Sequence, residues 1–222
     1  MAKRFVAIIV AAGLAMGSAL AGPFEDGVAA YAAGDFAKAL GLWRPLAEQG
    51  QLASQFNLAI AYDRGQGVNE DRVEAIRWYR HAAEQGDAIA AFNLGTILVQ
   101  GDGVARDPAE GVKWLRQAGE KGDTLAQFNL GLIYAEGRGV PRDYAEAARW
   151  YTLAAEKKHT QSQMNLGNLY ANGQGVEQDL EKASEWAEKA NESIMFGETN
   201  TSCTTQRAAL MLEQCRRVVP RM

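Results

Sequence analysis

Two patterns of apolar and polar positions alternate along this chain. The segments QFNLAIAY, AFNLGTIL, QFNLGLIY and QMNLGNLY begin at Gln55, Ala91, Gln127 and Gln163. Around the third, the set Ala126, Leu130, Ile133 and Tyr134 follows the helical period, which predicts an amphipathic helix, helix A. The second pattern reads EAIRWYRHAAEQG from Glu74, EGVKWLRQAGEKG from Glu110, EAARWYTLAAEKK from Glu146 and, more loosely, KASEWAEKANES from Lys182. There Ala75, Trp78, Tyr79, Ala82 and Ala83 recur at helical spacing and predict helix B. Successive copies stand 36 residues apart. A fixed period in this range signals a stacked array in which each unit buries its apolar face against the next.

Between helix A and helix B lies a glycine loop, AEGRGVPRD in the third copy. The glycine pairs are Gly65/Gly67, Gly101/Gly103, Gly137/Gly139 and Gly173/Gly175. A phosphate-cradling loop is needed once, so a loop repeated in register reads as architecture. The first glycine stands where helix A must stop, and glycine readily takes the left-handed conformation that ends helices. The second allows another sharp turn. Val68, Val104, Val140 and Val176 are expected to point back under it as apolar plugs. Asp71, Asp107, Asp143 and Asp179 should cap helix B, with Glu74, Glu110 and Glu146 completing a capping box and Lys182 breaking it. Pro108 takes the first helical position, where proline is tolerated.

Small residues recur at one helix A position (Ala59, Gly95, Gly131, Gly167) and at one helix B position (Ala75, Gly111, Ala147, Ala183). They predict close helix approach. Trp78, Trp114, Trp150 and Trp186 supply the bulk and read as core rather than as a sugar-binding row.

The run from Leu130 to Ala155 carries A/G-x-x-Y, then G-x-G-V, then D-x-x-x-A-x-x-W-Y-x-x-A-A. This resembles the Sel1-like repeat family of tetratricopeptide-like proteins. The resemblance implies an all-α fold, a right-handed α-solenoid of antiparallel helix pairs. It also implies an interaction scaffold whose helices A line an inner groove, with many members exported from bacteria. The repeats are placed at 51–86, 87–122, 123–158 and 159–190. Residues 22–50 form a degenerate first hairpin in which Asp35, Ala39, Trp43, Ala47 and Gly50 stand one period before Asp71, Ala75, Tyr79, Ala83 and Gly86. Its turn is the short Ala33-Gly34, and Pro45 is expected to kink its second helix. After Asn191 the pattern stops. Residues 191–222 are read as a turn-rich stretch and one more helix carrying Ala208, Leu212 and Cys215, which caps the array.

Residues 1–21 read as a secretory signal peptide: Lys3 and Arg4, an apolar run from Phe5, then Ala19-Leu20-Ala21 with cleavage after Ala21. The alternative is a retained anchor, for which the run is short. Losing Lys3 and Arg4 takes the net charge from −4 to −6, against broad nucleic-acid binding. Arg207, Arg216, Arg217 and Arg221 read as a solvated helix face. Cys203 and Cys215, in an exported protein, favour an intramolecular disulfide, with free thiols or an intermolecular bond as alternatives. One unbroken helix would hold them ~18 Å apart, too far for a bond, so Cys203 should lie in a loop.

Signals for chemistry are sparse. His81 and His159 lack a second ligand at metal spacing, and neither G-x-S-x-G nor Ser-x-x-Lys occurs. No cofactor, metal or catalytic residue is assigned. Some cysteine-rich relatives of the family are β-lactamase-like, but they carry a cysteine pair in each repeat. The reading is therefore an exported, non-enzymatic scaffold for a protein or peptide, with a periplasmic cell-wall-binding or β-lactamase-like hydrolase as the alternative. The candidate partner-binding residues lie on one stripe of helix A: Asn57, Ile60 and Arg64; Asn93, Thr96 and Gln100; Asn129, Leu132 and Glu136; Asn165, Asn168 and Asn172. The asparagines are constant and could hold a peptide backbone or brace neighbouring helices. The other two positions vary between copies, which suits specificity.

Overall fold

A computed structural model describes residues 22–196. The predicted signal peptide and the segment carrying Cys203 and Cys215 lie outside the described residues. So do the predicted capping helix and the arginines near the C-terminus. Ten helices and no strand occur among the described residues. They fall into two compact units divided after Arg106. The first holds α1 (Pro23–Ala32), α2 (Phe36–Glu48), α3 (Leu52–Arg64), α4 (Arg72–Glu84) and α5 (Ala88–Gln100). The second holds α6 (Pro108–Glu120), α7 (Thr124–Glu136), α8 (Tyr144–Glu156), α9 (Thr160–Asn172) and α10 (Leu180–Phe196). Within each unit every helix packs on the next, and the short connections make neighbours antiparallel. Helices A are α3, α5, α7 and α9; helices B are α4, α6, α8 and α10. This is an all-α repeat fold, and α1/α2 is the degenerate first hairpin.

The helix ends follow the local chemistry of the sequence. Gly65, Gly101, Gly137 and Gly173 each take the left-handed conformation at the end of a helix A. Asp71, Asp107, Asp143 and Asp179 each accept the amide of the residue three positions on, at 2.9–3.0 Å. At Asp71 and Asp143 the capping box is not closed, however. The Asp143 amide donates to the Tyr134 carbonyl, and those of Asp71 and Asp179 to Tyr62 and Tyr170. Glu146 instead accepts from the Trp150 indole at 3.2 Å and from Arg149. Glu74 is held by Arg77. The helix A carbonyl reaches the cap first, which frees the glutamate for the outer face of helix B.

Helix α2 contains Pro45 and ends at Glu48. One further expectation changes. Helix α10 does not stop at Asn191 but continues to Phe196. Ala190 and Ile194, four residues apart, pack with Met164 and carry the apolar stripe onward.

The core matches the two periodic faces. In the second unit Ala147, Ala148, Tyr151, Ala155, Leu166 and Leu169 are buried together, and Val176 packs against them as a half-buried plug. Val68, Val104 and Val140 are likewise half-buried. Trp78 and Trp150 are buried; Trp114 and Trp186 are half-buried. Gly131 shows why a small residue recurs: a Cβ there would overlap the Tyr151 ring. A helix-interior glycine costs about 0.5–1 kcal/mol relative to alanine. Overpacking typically costs about 1–3 kcal/mol, so glycine wins at this contact.

Candidate functional site

The glycine loop packs on its own repeat array. In each loop the second glycine also has a positive φ, between 70° and 78°. Its backbone lies on the first turn of the preceding helix B. A Cβ at Gly67 would stand 2.7 Å from Phe36, one at Gly103 would stand 2.9 Å from Arg72, and one at Gly139 would overlap Pro108. One at Gly175 would overlap the backbone of Tyr144 and Ala145. Arg72 tightens this junction by pairing with Asp63, with Glu70 at 3.2 Å and with Asp102 of the next loop at 3.3 Å. The pattern G-x-G is therefore set by two demands, a helix stop and a repeat-to-repeat contact.

The asparagine positions divide. Asn93 is hydrogen-bonded to the Tyr79 hydroxyl, and Asn165 to that of Tyr151. Each bond joins a helix A to the helix B before it. Burial raises both tyrosine pKa values, that of Tyr151 to about 12, while the asparagine contacts act in the opposite sense. Where the tyrosine position holds Trp43, the bond is lost. The Trp43 indole donates to the Phe24 carbonyl at 3.2 Å, and Asn57 is buried with no hydrogen-bond partner. Asn129 is half-buried and faces a repeat with Leu115 at the tyrosine position. At Asn93 and Asn165 the side chain is thus a brace.

The other stripe positions divide by exposure. Ile60 is 1% exposed, because α3 is enclosed from Ser54 to Tyr62, and it presents no surface. Thr96 and Leu132 are half-buried; Thr96 bonds back to the Phe92 carbonyl at 2.8 Å and Leu132 joins the core. Arg64, Gln100, Glu136, Asn168 and Asn172 are exposed. Glu136 pairs with Arg138, and Asn172 donates to the Asn168 carbonyl at 2.8 Å.

Several framework residues recur with the repeat but are not among the candidate site residues. Gln55, Gln127 and Gln163 are buried and donate to the carbonyls of Ala47, Gly119 and Ala155 at 3.1, 2.8 and 3.2 Å. Arg116 donates to the Tyr134 hydroxyl at 2.6 Å, and Arg44 likewise to Tyr62. Asp87 and Asp123 cap α5 and α7, a signal legible in the Gly-Asp pairs that precede those helices. The two histidines are structural as well. His159 caps α9 and stacks on Phe128, and His81 lies against Trp78 and Glu84. No cluster of three or more histidine, cysteine, aspartate or glutamate side chains suited to a metal occurs among the described residues. None of the described helices is long and apolar enough to cross a membrane.

Comparison with known proteins agrees with this architecture. The Sel1 repeat family model matches residues 52–87, 88–123, 124–159 and 160–193. A Sel1 repeat protein from Oxalobacter formigenes is 29% identical, with a TM-score of 0.70 over 86% of this chain and 87% of that one. A protective antigen of uropathogenic Escherichia coli displaying an SLR fold is 34% identical, with a TM-score of 0.63. There the match covers 88% of this chain but 45% of the antigen. This chain thus corresponds to less than half of that protein. No curated protein matches the chain.

Proposed function

The chain belongs to the Sel1 repeat family, and on that premise we propose that it is an exported, non-enzymatic scaffold that binds a protein or peptide along its helices A. Sel1 repeat proteins generally mediate protein–protein interaction. One observation supports the reading above others. The last residue of helix A is exposed in all four repeats, and it is Arg64, Gln100, Glu136 and Asn172. Around it the framework of small residues and capping aspartates repeats. A fixed scaffold presenting a cation, an amide, an anion and another amide at one register position is suited to reading a particular partner. In Sel1-like repeats this is the side that lines the groove, and extended segments dock there.

Export rests on the signal peptide ending at Ala21 and on the Cys203/Cys215 pair. In exported protein the two cysteines should resist alkylation until a reductant is added, as read by mass spectrometry. For the binding face, a partner captured by cross-linking in the source organism should be weakened by Arg64→Glu, Glu136→Lys and Asn172→Lys. The assignment to helices A falls if binding survives all three while Arg77→Glu, Lys113→Glu or Arg149→Glu, on the exposed side of helices B, abolishes it.

A further inference from the structure

A cavity of about 690 Å³ opens between the end of α8, the start of α9 and α10. Its walls include Lys158, Gln163, Trp186 and Ser193, with Glu156, Lys189 and Glu192 around them. Comparison with earlier repeats shows what is missing from it. In the first unit the Gln85 side chain reaches back 35 residues. Its amide donates to the Gly50 carbonyl at 3.0 Å and to Gln55 Oε1 at 2.7 Å. In the second unit Lys157 makes the same reach, its ammonium donating to the Gly122 carbonyl at 2.6 Å. One period further on, the reaching residue is Ser193, which is too short to span the gap.

The acceptors remain. Gln163, 3% exposed, donates to Ala155 and leaves its Oε1 without a donor, as Gln127 does one repeat earlier beside the reaching Lys157. A buried acceptor left unmade is unfavourable. The Lys158 carbonyl, counterpart of those of Gly50 and Gly122, receives no side chain among the described residues. Lys158 also holds a φ of 62°, where its counterparts are glycines at 91°, 94° and 92°. Left-handed backbone at a side-chain-bearing residue is a strain of the kind that gathers at binding sites. Trp150, one repeat earlier, is fully covered, but Trp186 is half-open. Its ring already carries an alkyl-ammonium on one face, with Lys189 Nζ 4.2 Å from the centroid. Glu156 and Glu192 form no ion pair among the described residues.

We propose that this cavity receives the side chain of a lysine from a protein partner, entering where Lys157 enters one repeat earlier. The inference rests on the scaffold reading and adds a second contact to it. An ammonium brings three donors on a flexible alkyl stem. The Lys158 carbonyl stands where the Gly122 carbonyl accepts from Lys157, the rim carboxylates supply further acceptors, and the indole supplies an apolar wall. A primary amide has one donor fewer and no charge for the carboxylates.

The probe is acetyl-Gly-Lys-Gly-amide, titrated against the whole mature protein while the indole N–H of Trp186 is followed by nuclear magnetic resonance. That signal is assigned with Trp186→Phe. The expected result is a saturable shift with a dissociation constant of roughly millimolar order, as suits one side chain. The norleucine peptide, which lacks the ammonium, should bind at least about tenfold more weakly, as the loss of charged hydrogen bonds implies. Ser193→Lys and Ser193→Gln, which restore the reach of Lys157 and Gln85, should each abolish the shift while the melting temperature holds or rises. Two variants guard against one that fails to fold. No saturable shift, equal binding of the norleucine peptide, or unchanged binding by both folded variants would each overturn the proposal. Failure here with partner binding still sensitive to Arg64 and Glu136 removes the cavity alone. Lysyl binding with insensitive helix A positions removes the groove assignment instead.

Discussion

The two glycines of one loop separate a local effect from a tertiary one. In the last loop Gly173 and Gly175 have φ values of 64° and 70°. Alanine at either site adopts left-handed backbone at a cost of about 1–2 kcal/mol. Either substitution also lowers the entropy of the unfolded chain, returning about 0.4–1 kcal/mol. These contributions are nearly equal and cancel in a comparison. What differs is the surroundings. A Cβ at Gly173 meets Gln178 Cβ at 3.2 Å, a side-chain contact that a slight shift relieves. A Cβ at Gly175 overlaps the backbone of Tyr144 and Ala145 in the first turn of α8, which cannot rotate away. Forcing a group into a packed contact costs about 1–3 kcal/mol. Gly175→Ala should therefore be less stable than Gly173→Ala by that amount. In a chain of this length about 2–4 °C of melting temperature corresponds to each kcal/mol. Thermal melts followed by far-ultraviolet circular dichroism measure the difference, and hydrogen exchange at Ala145 and Glu146 locates it. Equal melting temperatures for the two variants, with equal exchange at α8, would refute the loop-to-helix contact as the reason for the second glycine.

Other outcomes follow from the same geometry. Asp143→Ala should cost about 0.5–2 kcal/mol through the lost cap, visible in urea denaturation, and should leave partner affinity unchanged. Lys158→Gly should raise stability by roughly 1 kcal/mol, because it relieves the left-handed backbone that glycine carries at the three equivalent turns; an unchanged or lower melting temperature would speak against strain there. Tyr151 is held neutral by burial, its pKa pushed up from 10.0 to about 12. The stability this contributes is fully present below pH 10 and is lost as the pH rises toward 12. Ultraviolet titration should show late tyrosinate formation whose amplitude Tyr151→Phe lowers by one tyrosine, Tyr79 remaining, and the alkaline loss of structure should follow it.

Much of this molecule is legible in one dimension. The period of 36 residues, the switch between the two helical faces, the glycine that ends each helix A and the aspartate that begins each helix B are properties of short segments. A helix stop needs only a residue free to turn left, and a cap needs only an oxygen within reach of the next amides. Those signals survive without knowledge of any neighbour, and the helix ends match them. The continuation of α10 past Asn191 follows the Ala190–Ile194 spacing, itself a local signal.

The tertiary structure decided what the repeated positions do. The position of Ile60, Leu132 and Asn168 is one register site, yet it is buried, half-buried and exposed in turn, because exposure is set by whatever lies opposite. Asn93 and Asn165 became braces because a tyrosine stands across from them, and Asn57 did not because Trp43 does. Glu146 left the cap because the Tyr134 carbonyl had taken the Asp143 amide, freeing the carboxylate for Trp150 and Arg149. At Trp186 the residue one period after Lys157 is Ser193, and the bond that Gln85 and Lys157 each make to a carbonyl 35 residues back is absent there among the described residues. Helical period and caps act over one or two turns. Hydrogen-bond competition and burial act between residues a whole repeat apart, and only packing brings those together.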